Sequence, residues 1–201
     1  GNAGSPVSVD GTRLVLGVAS GDRPPEFPAF GVDEADVPAR FRESVRVLRR
    51  VWSEESPELD SSFGDLDGSL DLLPKPTTET LPLLVTGHAG QDRGWIAEHG
   101  DGWVYYQRDL DGLGEMIEDW RADTDGHKPY VQVLHVDLDP DPTAGPERIH
   151  QGYAAGSEWF HEHLRALRDR GVDHVMINVR HGERDTETVL REFGRDVLAE
   201  L

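Results

Sequence analysis

Strand-like residues run straight into Gly-His-Ala-Gly-Gln in the stretch VTGHAGQDRGW, residues 85–95. Gly87 and Gly90 let a ligand come close to the backbone. The N–H groups that open the following helix suit a phosphate. No Gly-Lys-Ser/Thr follows, so this is not a P-loop, and it is not G-x-G-x-x-G either. A plain tight turn between strand and helix accounts for the same residues, and both readings stand. His88, His135 and His181 each fall at or near a predicted strand end, where an imidazole serves as donor, base or satisfied structural ring. His161 and His163, in FHEHL, are two apart on a helix and face different sides. With HExxH absent, no metal site is expected. Ser20 follows a strand in ASGD, but there is no Gly-x-Ser-x-Gly elbow and no Asp/His pair placed for a triad.

The elements that must hold these residues alternate. TRLVLGVAS (12–20) is apolar on consecutive positions and reads as a buried parallel strand. In VPARFRESVRVLRRVW (37–52), Val37, Phe41, Val45, Leu48 and Trp52 recur at helical spacing, with Pro38 in the first turn. Residues 53–81 are acidic and Ser/Gly-rich, and read as a long excursion with a small hairpin. Strands follow at 82–87, 101–107, 130–138 and 172–179. Helices follow at 91–100, 110–123, 154–171 and 185–201, and 139–152 reads as loop with at most one helical turn. Five strand–helix units in series imply an α/β fold with parallel (β/α) units, either doubly wound or an eight-stranded barrel. In both, ligands sit beyond the carboxyl ends of the strands.

Composition bounds the function. The chain has 201 residues, 36% of them hydrophobic and none of them cysteine, which excludes disulfides, thiolate metal sites and cysteine catalysis. No apolar run is long enough for a membrane helix. The N-terminal residues 1–12 read as a lead-in without a secretion signal, so a cytoplasmic location is expected. Asp and Glu number 39 against 20 Lys and Arg, a net charge of −19, and only Lys75 and Lys128 are lysines. Such a surface repels nucleic acid and anionic lipid. Its self-repulsion fades in molar salt, where the Debye length is about 3 Å. A halophilic protein is expected.

RLVLGVASGDRPPEFPAFGVD followed by an Arg-rich helix resembles the bacterial-luciferase-like flavin monooxygenases and oxidoreductases. Arg13, Leu16, Gly17, Gly21, Phe30, Gly31, Asp33, Leu48 and Trp52 stand at the positions of that family's pattern. LLPKP, PLLVTGHAGQDRGWIAEHGDGWVYY and GVDHVMINVRHG extend the resemblance over nearly all of 13–201. It implies a (β/α)8 barrel, here a partial TIM barrel of about five of eight strands in a single domain with an insertion at about 53–81. It also implies FMN or the deazaflavin F420 as cofactor and a small-molecule substrate, and the open strand edges lead to the expectation of a homodimer. Cofactor contacts implied by the resemblance are Ser20, Gly21 and Arg23 in the first loop. In the second loop they are Thr86, Gly87, His88, Gly90 and Gln91. The nearest subgroup has serines where this chain has Ala89 and Asp92, so two hydroxyl donors to phosphate are lost. No catalytic acid or base is assigned. Five strands do not close a barrel, and their edges call for cover by a longer chain, a dimer partner or segment 53–81. Two functions follow: a luciferase-like flavin-dependent oxidoreductase in part, or a non-catalytic flavin-binding or dimerisation module.

Overall fold

The computed structural model describes residues 14–76, 78, 81–180, 182–199 and 201. The lead-in, Arg13 and His181 lie outside them. Two compact units are formed, one up to Gly102 and one from Trp103 to Leu201. The first contains β1 (Leu16–Val18), α1 (Glu26–Ala29), a 3-10 turn (Glu34–Asp36) and α2 (Val37–Ser53). A small hairpin of β2 (Glu58–Leu59) and β3 (Leu66–Asp67) comes next, then β4 (Leu83–Thr86) and α3 (Arg93–His99). From the boundary onward run β5 (Gly102–Tyr105), α4 (Leu113–Asp123), β6 (Tyr130–Leu138), β7 (Glu147–Ile149) and β8 (Gly152–Ala155). The chain ends with α5 (Ser157–Asp169), β9 (His174–Asn178) and α6 (Thr186–Asp196). No helix among the described residues is long and apolar enough to cross a membrane.

In the first unit, β1 lies parallel to β4 in the register Leu16↔Leu83, Gly17↔Leu84, Val18↔Val85. Leu83 and Val85 are buried, whereas Leu14 and Val15, just before β1, are 50% and 40% exposed. The expectation of a buried first strand therefore fails. β4 covers one edge of β1, and consecutive apolar residues stay dry only when both faces and both edges are covered. The apolar spacing of α2 turns Phe41, Val45 and Trp52 inward and leaves its arginines on the opposite face. Those arginines and a lysine tie down the excursion as a hairpin along α2. Arg46 donates to the Asp60 carbonyl at 3.1 Å and Arg50 to the Glu58 carbonyl at 2.8 Å. Lys75 donates to the carbonyls of Val51 and Glu54 at 2.9 and 2.6 Å, a cation closing the open end of a helix.

The second unit is built around β6. β5 pairs with residues 130–132, β9 with 131–135 and β8 with 135–138, all parallel. β7 and β8 form an antiparallel hairpin, although the sequence predicts loop over 139–152 and helix from 154, where β8 still runs to Ala155. Gly152 lets β8 close on β6: a Cβ there would sit 1.8 Å from the His135 carbonyl oxygen. Alternation along β6 puts Tyr130, Gln132, Leu134, Val136 and Leu138 in the core, each 0–1% exposed. Trp103 packs against Trp120 and Tyr130 with ring centroids at 5.4 and 5.7 Å. The Trp120 indole N–H is satisfied by the Lys128 carbonyl at 3.0 Å.

One device recurs in both units. Asp101 follows α3 and accepts the N–H of Leu83, the first residue of β4, at 2.8 Å. Asp173 follows α5 and accepts the N–H of Tyr130, the first residue of β6, also at 2.8 Å. Each carboxylate is also met by an arginine, Arg49 at 2.5 Å and Arg121 at 3.4 Å. Hydrogen bonds to charged groups contribute about 1.5–3 kcal/mol each. The starts of β4 and β6 are thus fixed by a charge rather than by backbone alone.

The two neighbouring histidines of α5 do part company, as their spacing requires. His161 Nδ1 lies 3.0 Å from the Val197 carbonyl, while the His163 ring stacks on Trp159 at 4.6 Å and 13°. His163 is 5% exposed and its Nε2 has no hydrogen-bond partner among the described residues. Burial, with a smaller contribution from Arg170, pushes its pKa down from 6.5 to about 4. The folded chain thus keeps this ring neutral, while the unfolded chain takes up a proton as pH falls below 6.5. Its contribution to stability is complete above pH 6.5 and is lost as pH falls towards 4. Urea unfolding at about pH 7 and about pH 5 should show the wild type losing ~2 kcal/mol more than His163→Phe between the two. Equal losses in both proteins would remove His163 as the cause.

Candidate functional site

Parallel register makes the site. Because Val18 lies opposite Val85, the chain leaves β1 through Ala19, Ser20 and Gly21 beside the place where Thr86 and Gly87 leave β4. Gly17 and Thr86 are close enough that a Cβ on the glycine would stand 3.9 Å from the threonine hydroxyl. Ser20 is half-buried and lines two small cavities of about 190 and 230 Å³, which also share Phe27 and Val37. Gly21 and Pro38 line the larger one. Arg23 stands apart: its side chain is 75% exposed and pairs with Glu26 at 3.3 Å.

The turn after β4 doubles back on itself. Gly87, Ala89 and Gly90 all have positive φ, at 62°, 50° and 72°. His88 is exposed, and its carbonyl accepts the N–H of Gln91 at 2.8 Å. Gly90 meets Pro38 of α2: a Cβ there would lie 2.9 Å from the proline Cγ. Pro38 thus touches the turn on one side and lines the Ser20 cavity on the other. The structure therefore brings Ser20, Gly21, Thr86, Gly87 and Gly90 to one end of the β1–β4 pair.

Gln91 is 6% exposed and spends its amide within the protein. Its Nε2 donates to the Pro38 and Ala89 carbonyls at 2.9 and 3.1 Å, and its Oε1 accepts from Arg42 at 2.9 Å. These bonds bolt the turn to the first turns of α2. Arg42 and Pro38 are the residues that sequence reading missed. In the Arg-rich face of α2 nothing sets Arg42 apart from Arg46 or Arg49 until the fold places Gln91 beside it. Asp92 caps α3, accepting the Trp95 N–H at 2.8 Å. The helix start that suited a phosphate in the sequence is thus already met by a carboxylate.

The sequence profile of a family described as luciferase-like monooxygenase matches residues 8–197. An uncharacterized protein of Mycobacterium tuberculosis is 30% identical over 182 residues, 89% of this chain and 55% of its own length. A second from the same organism is 31% identical over 135 residues, 65% of this chain and 46% of its length. The chain thus spans about half the length of the curated relatives it matches. Among solved structures, the monooxygenase RslO1 of Streptomyces bottropensis superimposes with a TM-score of 0.73 at 16% identity, covering 94% of this chain and 69% of that one. An F420-dependent secondary alcohol dehydrogenase, solved with an F420–acetone adduct, gives 0.68 at 18% identity over 94% and 68%. A riboflavin lyase solved with modified FMN and riboflavin gives 0.60 at 11% identity over 87% and 60%. The α/β fold with mostly parallel strands is that of these luciferase-like TIM-barrel enzymes over part of their length.

Two glycines of this site separate cleanly on stability. Gly90→Ala drives a Cβ against the Pro38 ring in a left-handed backbone and should cost about 1–3 kcal/mol in urea unfolding. Gly17→Ala meets only ordinary contact with Thr86 and should change stability by less than about 1 kcal/mol.

Proposed function

The chain belongs to the luciferase-like monooxygenase family, and on that footing we propose that it is the flavin-binding part of a flavin-dependent oxidoreductase, with FMN or F420 as cofactor. The observation that carries this is the side-by-side exit of the Ser20–Gly21 and Thr86–Gly90 segments from adjacent parallel strands. The residues present fit such a group. Small side chains at Ala19, Ser20 and Gly21 leave room for a flat ring. Left-handed backbone at Gly87, Ala89 and Gly90 lets backbone N–H groups form a concave anion cradle. When bound, the cofactor supplies the hydride or oxygen chemistry, and the protein supplies position and exclusion of water.

Each residue has its part in this reading. Ser20 offers a hydroxyl at the cavity wall, and Thr86 a second at the end of β4. Gly87, His88 and Gly90 present the backbone of the cradle, and Gln91 holds it still from behind. Arg23, exposed on its loop, meets the cofactor's outer, anionic part. Asp92 stands against tight phosphate binding, because its carboxylate already occupies the start of α3. This carboxylate favours a second reading, a non-catalytic flavin-binding module that dimerises. In either reading the −19 charge fits a protein that works in concentrated salt.

Titration with FMN and with F420, followed by near-ultraviolet and blue absorbance, tests the cofactor. Bound cofactor with turnover linked to NAD(P)H or F420 supports the enzyme; bound cofactor without turnover supports the module, and no binding of either rejects both. Asp92→Ser keeps a capping hydroxyl and removes the charge, so cofactor affinity should rise about tenfold, ~1.4 kcal/mol. Light scattering should report a dimer. Raising KCl from low to molar concentration should raise the melting temperature by on the order of 5 °C.

A further inference from the structure

One cavity lies wholly within the second unit and has no part in the cofactor reading. It measures about 630 Å³, inside the range of small-molecule sites. One wall is the loop that leaves the carboxyl end of β5, carrying Arg108 and Asp111. Leu113 and Met116 of α4 form an apolar floor, and the turn of the β7–β8 hairpin, with Ile149 and His150, forms the facing wall.

The walls are knitted together, which makes the cavity preformed. Arg148 of β7 pairs with Asp109 of the β5 loop. Gln107 donates to the Tyr153 hydroxyl of β8 at 3.1 Å. Arg170 of the turn after α5 holds the Leu110 carbonyl at 2.9 Å. Among the cavity's charges, Arg148 and Asp109 neutralise each other. Two remain. Arg108 gives one N–H to the Tyr105 hydroxyl at 3.1 Å and lies over the Tyr105 ring at 4.9 Å. A guanidinium has five donors, so its fork stays open and its orientation is set by the ring. Asp111 has no ion pair among the described residues.

We propose that this cavity is a second small-molecule site, for a monocarboxylate with an apolar body and a hydrogen-bond donor. The carboxylate meets the Arg108 fork in bidentate geometry. The apolar body lies on Leu113, Met116 and Ile149, and the donor, a hydroxyl or ammonium, faces Asp111. A phosphate is disfavoured, because a dianion would face Asp111 with a single uncompensated cation to hold it.

The full chain, labelled for amide NMR, tests this with three probes: phenyllactate, phenyl phosphate and 3-phenylpropanol. Phenyllactate should shift resonances of residues 107–116 and 148–151 saturably. Phenyl phosphate should bind at least about tenfold more weakly, and the alcohol weaker still. Arg108→Gln should weaken phenyllactate binding about tenfold or more, and Arg108→Lys, which keeps charge without the fork, should fall between. Met116→Trp fills the floor and should abolish the shifts with the other resonances in place, which guards against a folding defect in the arginine variants. The proposal is overturned if phenyllactate causes no saturable shift there, if phenyl phosphate binds as tightly, or if Arg108→Gln and Met116→Trp both bind like the wild type. Failure to bind flavin would leave each of these outcomes unchanged, so the two readings fail separately.

Discussion

Two carboxylates set where β4 and β6 begin. Asp101 holds the first N–H of β4 and Asp173 the first N–H of β6. A one-residue slip of a strand exchanges its two faces. In β6 it would send Tyr130, Gln132 and Leu134 out of the core. In β4 it would move Thr86 and Gly87 off the level of Ser20. Each aspartate sits just after a helix, so it couples helix end to strand start. The arginines that meet them, Arg49 from α2 and Arg121 from α4, tie a further helix to each junction. Everything at the opposite, carboxyl ends of the strands inherits its alignment from these junctions.

At the carboxyl ends of β1 and β4, rigidity comes from side chains that spend their hydrogen bonds within the protein. Gln91 is fully engaged with Pro38, Ala89 and Arg42. It serves the turn as a brace. Left-handed backbone is costly to hold in a free loop, and three side-chain hydrogen bonds plus a proline wall offset that cost. The carboxylate of Asp92 works in the other direction, stabilising α3 while opposing an anion at the same helix start.

Much of the fold was legible because the periodicities were clean. α2 and β6 occupy the residues that spacing and consecutive apolarity indicated, 37–53 and 130–138. The β7–β8 hairpin was not legible. Its sequence, ERIHQGYAA, offers few β-branched residues, and its strand character depends on pairing with β6 through Gly152, a partner far away in the chain. The exposure of β1 was equally hidden, since burial depends on how many neighbours a strand acquires. In the site, the turn VTGHAGQ announced itself by its glycines, but the direction of the Gln91 amide depended on Arg42, 49 positions earlier.

The sequence by itself determined the α/β alternation, the family pattern, the acidic surface and the two loops that end β1 and β4. Those are properties of local spacing, composition and motif, and they survive without knowledge of contacts. Tertiary structure decided the rest: that Gln91 braces rather than reaches outward, that His163 is buried with its Nε2 unbonded among the described residues, and that a polar cavity opens between the β5 loop and an unexpected hairpin. Each of these is a fact about residues distant in the chain meeting in space, and one-dimensional spacing carries no record of such meetings.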